Sequence, residues 1–225
     1  MATLRPSLGH GAELTEPVDN ENRRPLKSRQ TGWAKLAASL LLRTGIRADH
    51  VSMFGILFAL LGGWAAVEAP GEPWLYLAAA IGIQLRLLCN MLDGLVAVEG
   101  GRKSAYGPLF NEVPDRIEDS VLLIAFGQAA GLLWLGLLAA LLAAITAYVR
   151  ALGGSLGLGQ DFRGPMAKPH RMAALTLAAV AALVEALTVE SRYVVELALW
   201  IIVAGAALTA IRRTLGLAAK LRAGS

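Results

Sequence analysis

Six apolar segments follow one another along this chain, at about 51–67, 74–98, 109–132, 133–156, 172–189 and 193–217. Each is roughly 17–25 residues, long enough as a helix to cross the ~30 Å hydrocarbon core of a bilayer. The pattern predicts an all-α integral membrane protein with six transmembrane helices. Composition agrees: 56% of the 225 residues are hydrophobic, and the mean hydropathy of +0.54 is too high for an ordinary soluble domain. The bulk is Ala, Leu and Gly, a mixture that lets membrane helices pack closely. The third and fourth segments are nearly continuous, and Gly131 with the 134–136 stretch is the expected turn between them.

The flanks divide the rest. Residues 1–30 are polar and without periodicity, and read as a mobile cytoplasmic tail with no secretory signal peptide. Residues 31–48 hold an amphipathic stretch from Trp33 to Leu42, expected to lie at the membrane surface as a juxtamembrane helix. Residues 49–217 form the transmembrane domain, and 218–225 a second cytoplasmic tail. Basic residues crowd the N-terminal flank, the loop with Arg102 and Lys103, the loop with Arg163, Lys168 and Arg171, and the C-terminal end. The opposite side shows Glu68, Glu72, Glu190 and one basic residue, Arg192. By the positive-inside rule both termini are cytoplasmic. The net charge of +4 is spread over these short loops, which argues against nucleic-acid binding. The single cysteine, Cys89, excludes a disulfide framework and reads as a small buried hydrophobe. No internal repeat supports a transporter built from inverted halves.

Against this background one set of polar residues stands out. Asn90, Asp93 and Ala97 fall on one helical face, with Gly94 beside them, and Asn111, Asp115 and Asp119 recur every four residues on another. Carboxylates inside a bilayer are expensive and mark function by default. Two such faces meeting would make a pocket of hard oxygen ligands suited to Mg²⁺, Mn²⁺ or Ca²⁺. The orientation places that pocket near the cytoplasmic face. Arg86 lies seven residues before Asp93, on the same face but about 10 Å deeper, and Asp119 one turn deeper than Asp115. A buried pair of Arg86 with Asp119, or with Glu118, is the expected structural solution for these charges.

These residues resemble the signature of the CDP-alcohol phosphotransferases, Asp-x2-Asp-Gly-x2-Ala-Arg-x8-Gly-x3-Asp-x3-Asp. Here the run is Asn90-x2-Asp93-Gly94-x2-Ala97-Val98-x8-Gly107-x3-Asn111-x3-Asp115. Every spacing matches, and the residue types depart only at Asn90, Val98 and Asn111. The resemblance implies a six-helix enzyme of phospholipid synthesis in a membrane, expected to be a bacterial inner membrane, with its site on the cytoplasmic side. Such an enzyme moves a substituted phosphate from a CDP-linked donor, commonly CDP-diacylglycerol, to a small alcohol and releases CMP. It further implies Mg²⁺ or Mn²⁺ held by Asn90, Asp93, Asn111 and Asp115, with Asp115 as the base that takes the acceptor's proton. Asp93, Gly94, Ala97 and Gly107 would line the CDP site, and Arg102 or Lys103 from the loop could substitute for the family arginine that Val98 replaces, with a solvated loop charge as the alternative. Many members are homodimers, so a homodimer is expected, on a helix face that periodicity does not identify.

Asp49 and Ser52, which open the first span, resemble a short family motif and join the CDP-binding set, although Asp49 equally suits a helix cap. Lys168 and Arg171 fit an acceptor or phosphate site, with ordinary positive-inside charge as the alternative. His170 reads as interfacial. Two amides in place of two carboxylates lower the ligand charge by two and make a two-metal site doubtful. Glu112, about 100° around the helix from Asn111, either restores a charge or points to the interface. The same departures motivate a second reading, a non-catalytic membrane relative that binds a nucleotide-lipid or a partner protein.

Overall fold

The computed structural model describes residues 31–46, 48–99, 107–189, 191 and 193–223. Seven helices account for nearly all of them: α1 (Gly32–Arg43), α2 (Ala48–Glu68), α3 (Leu75–Glu99), α4 (Gly107–Ala129), α5 (Leu133–Ser155), α6 (Lys168–Thr188) and α7 (Tyr193–Ala223). The apolar segments read from the sequence coincide with α2 to α7 to within a few residues at most ends.

Five of these helices, α2, α3, α5, α6 and α7, are long and apolar enough to cross a membrane. The sixth expected span, α4, has 23 residues and therefore the length. It falls short in hydropathy because Glu112, Asp115, Arg116, Glu118 and Asp119 all lie in its first half. Those charges turn inward: Asp115, Glu118 and Asp119 are buried.

Packing runs in a closed ring. α2 lies against α3 and α4, α4 against α5, α5 against α7, α7 against α6, and α6 against α3. Large aliphatic side chains such as Leu60, Leu141, Leu177 and Leu197 point outward, as a lipid-facing surface requires. The interior is filled by Ala, Leu, Ile and Phe126.

Small residues set the closest approaches. A Cβ on Gly82 would lie 2.7 Å from the Cα of Gly62, and one on Gly127 would lie 2.6 Å from the Cα of Gly136. Backbones of α2 and α3, and of α4 and α5, therefore touch directly. The α4–α5 turn is at Gly131, whose φ of 72° is the left-handed conformation that glycine adopts without strain. Trp134–Gly136, expected to share in that turn, lies inside α5 instead.

Helix α1 carries two apolar stripes. Ala34 and Ala38 are fully buried, within a cluster that includes Val51, Leu92, Leu95 and Val96. Trp33, Leu36 and Leu40 are exposed along another side. One stripe docks α1 on α3, and the other is available to lipid.

The connection from α5 to α6 is fastened to α7. Thr209 Oγ1 accepts a hydrogen bond from the Met166 backbone N–H at 3.0 Å. The Arg213 guanidinium donates to the carbonyls of Arg163 and Thr146 at 2.9 and 2.8 Å. Ala167 then leads into α6, with a proline in its first turn where no intrahelical donor is lost. These contacts fix where Lys168, the first residue of α6, emerges.

Candidate active site

The polar residues of α3, α4 and α6 converge at one end of the bundle. Arg86, fully buried on α3, is the centre of the inner part. Its Nε donates to Glu118 Oε2 at 2.6 Å, and its Nη2 pairs with Asp119 Oδ1. Arg171, 1% exposed on α6, reaches the other oxygen of Asp119 at 2.8 Å. Three helices are thereby joined through two guanidiniums and two carboxylates. A buried charge costs several kcal/mol unless it is paired in this way.

The outer part sits one turn nearer the helix ends. Asn90 bridges the two layers, its Nδ2 donating to Glu118 Oε2 at 2.8 Å and to the Arg86 carbonyl at 3.1 Å. Lys168 Nζ reaches Asn90 Oδ1 at 3.2 Å and is ion-paired with Asp115 Oδ1. Arg116 Nη2 is 3.5 Å from the other Asp115 oxygen. Asp93, 5% exposed, accepts a hydrogen bond on Oδ2 from Ser52 Oγ at 2.9 Å. Its Oδ1 is buried and has no hydrogen-bond partner among the described residues.

Several residues named from sequence thus meet in space: Ser52, Arg86, Asn90, Asp93, Asp115, Asp119 and Lys168. Gly94 is half-buried beside Asp93. Asp49 lies in the first turn of α2, also half-buried. For Ala97, Gly107 and Asn111 only the helical backbone of α3 and α4 is described, and Arg102 lies outside the described residues. Arg171 differs from expectation. It faces no open pocket but donates to the Met166 carbonyl, to Thr146 and to Asp119 inside the bundle. Glu112 accepts a hydrogen bond from Arg150 at 2.6 Å on α5, a charge that pairs between helices rather than joining the Asp93 side.

Sequence reasoning gave Glu118 only as an alternative partner of Arg86 and missed its bond to Asn90. It also missed Arg150. The signal for Arg150 was a single cation near the end of an otherwise apolar segment, which needed an acid on a neighbouring helix. Nothing in the spacing shows that Lys168 meets Asp115, because the two are 53 residues apart.

No protein-family model matches the chain. It is 26% identical over 184 residues to phosphatidylinositol phosphate synthase of Streptomyces avermitilis, covering 78% of this chain and 74% of that one. It is 32% identical over 139 residues to the enzyme of the same name from Cutibacterium acnes, covering 57% and 65%. It is also 30% identical over 86 residues to the inner membrane protein YnbA of Escherichia coli, covering 38% of this chain and 42% of that protein. The chain therefore spans less than two thirds of two of these three relatives. Its fold superposes on Mycobacterium tuberculosis phosphatidylinositol phosphate synthase in complex with manganese and citrate, with a TM-score of 0.69 and 20% identity over 82% of this chain and 88% of that one. The CDP-DAG-bound form of that protein superposes with a TM-score of 0.68, at 21% identity over 82% of this chain and 92% of that one. These matches agree with the resemblance to the CDP-alcohol phosphotransferases that the motif carries.

The resemblance to the CDP-alcohol phosphotransferases, and the manganese in the solved neighbour, raise the question of a divalent metal. The donor set fits one. Asp93 offers a buried carboxylate oxygen that Ser52 leaves free. Among the described residues no three His, Cys, Asp or Glu side chains form a ready cage. Mg²⁺ needs none, since it is usually held by one or two carboxylates, with water and substrate phosphates completing its shell.

Proposed function

We propose that this chain is an integral membrane transferase that moves a phosphatidyl group from a CDP-linked lipid, such as CDP-diacylglycerol, to a small alcohol and releases CMP. The observation that carries the reading is the meeting of α3, α4 and α6, with a free Asp93 oxygen at one end and Asp115 held by Lys168 at the other. The names of the relatives, and the donor bound by the solved neighbour, support the donor class.

The chemistry divides among the residues. A bound Mg²⁺ or Mn²⁺ would neutralise the charge that develops on the phosphate of the departing CMP as the donor's P–O–P bridge breaks. Asp93 holds that ion, and Ser52 fixes the carboxylate's orientation. Asn90 and Asn111 would add neutral carbonyl oxygens to the donor set. Asp115 accepts the proton of the acceptor hydroxyl, which is otherwise a weak nucleophile at neutral pH. Lys168 is ion-paired with Asp115 and lies where an incoming phosphate would meet it. Gly94, Ala97 and Gly107 present little side-chain bulk, which lets a nucleotide approach the helix backbones. Asp49 and Arg102 stay in the donor-binding set. Arg86, Glu118, Asp119 and Arg171 position the helices, so Arg171 moves from acceptor binding to positioning.

In this reading α4 is the sixth transmembrane helix, its charges sheltered by the ring. Both termini and the site lie on the cytoplasmic side of a bacterial inner membrane, supported by the basic loops and by the relationship to an inner membrane protein. The chain works as a homodimer, as its family suggests.

The test is CMP release by the full chain in nanodiscs, with CDP-diacylglycerol, Mn²⁺ or Mg²⁺ and a panel of small alcohols and alcohol phosphates. Release that depends on metal and acceptor is expected. A folded chain that releases no CMP across the panel would contradict the proposal and favour the non-catalytic reading.

A further inference from the structure

The charges at the site do not balance evenly, and the imbalance falls on one residue. Glu118 and Asp119 are matched by Arg86 and Arg171. Asp115 is matched by Lys168. Of the four buried acids among the described residues, only Asp93 lacks a cationic partner, its one side-chain bond coming from Ser52, and it alone keeps a buried oxygen unpartnered. Meanwhile the Lys168 ammonium sits between Asn90 Oδ1 and Asp115 Oδ1, two oxygens from facing helices that could otherwise share a dication.

We propose that Lys168 is a built-in cation of this site, occupying the position between Asn90 and Asp115, so that the chain takes one divalent ion, at Asp93, and not a pair. The inference rests on the transferase reading above and specifies its metal. A dication between Asn90 and Asp115 would have to displace the Lys168 ammonium that both oxygens already hold. The ammonium satisfies both oxygens without dehydrating a metal, and its stem is anchored at the start of α6 by the fastened α5–α6 connection.

The experiment uses the full chain in detergent micelles with Mn²⁺ and CDP as probes. Bound Mn²⁺ is counted by equilibrium dialysis, and electron paramagnetic resonance separates an isolated ion from an exchange-coupled pair. Wild type is expected to bind one Mn²⁺ per chain with the spectrum of an isolated ion. Lys168→Gln, which frees Asp115, is expected to bind two with a coupled spectrum. Lys168→Met serves if the glutamine variant does not fold. Asp93→Asn is expected to bind none. A coupled pair in wild type, a stoichiometry that stays at one after loss of the lysine charge, or an ion retained by Asp93→Asn would each overturn the proposal. A wild-type pair together with CMP release would overturn it while leaving the transferase reading intact. No bound ion and no CMP release from a folded chain would overturn both.

Discussion

The two ends of the helix bundle are held together by opposite means. At the end away from the site, α2 meets α3 and α4 meets α5 through bare backbone, at Gly62 with Gly82 and at Gly127 with Gly136. At the site end, α3, α4 and α6 are joined by ion pairs around Arg86 and Asp119. Close packing of small residues needs no desolvation of charge, and it tolerates no added volume. Ion pairs in a bilayer tolerate substitution of size better than loss of charge, because an unpaired partner is left behind. The contrast teaches where chemistry can be placed. Among the described residues, the buried polar side-chain atoms without a partner, Asp93 Oδ1 among them, lie at the charged end.

The largest effect should come from the charged end, and it should fall on turnover. Asp115→Asn keeps the size and loses the base, so CMP release should drop about 10²–10⁴-fold while the thermal midpoint stays near wild type. A variant that unfolds instead would place Asp115 among the structural acids. Next comes Arg86→Ala, which strands Glu118 and Asp119. Breaking a buried pair costs about 3–5 kcal/mol, and the purified yield and melting temperature should fall together. If Arg86→Ala kept its melting temperature and lost only turnover, the division between positioning and chemistry would fail.

At the other end, Gly82→Val should cost about 1–3 kcal/mol by forcing α2 and α3 apart. Its signature is a lower melting temperature with metal binding intact in the folded fraction. A matching loss of Mn²⁺ affinity would mean that the two ends are not independent. The smallest effect is expected at Ser52→Ala, which frees the second oxygen of Asp93. Loss of an orienting partner should weaken Mn²⁺ binding about 10-fold, with no change in stoichiometry, as read by dialysis.

Much of the first end was legible in the sequence, because hydropathy and helix length are local properties. Five long apolar helices, the turn at Gly131 and the small-residue composition were all readable without a partner helix. The site was legible only in part. The spacing of Asn90, Asp93, Asp115 and Asp119 announces two polar faces. It does not say which oxygen faces which donor across the bundle. Lys168 on Asp115 and Arg150 on Glu112 are tertiary contacts between helices far apart in sequence, and Arg171 looked like an exposed loop cation until α6 was seen to begin at Lys168. α4 shows the same limit from the other direction. Its charged residues lower its hydropathy below that of its neighbours, and only the folded bundle shows that Asp115, Glu118 and Asp119 among them are buried.

The most direct test of the account is a structure of the full chain with CDP-diacylglycerol and Mn²⁺ bound. The account predicts a single anomalous peak for manganese in bonding contact with Asp93 Oδ1 and the donor's diphosphate, with Lys168 still lying between Asn90 and Asp115. A donor bound away from Asp93, or manganese seated between Asn90 and Asp115 with Lys168 displaced, would contradict it.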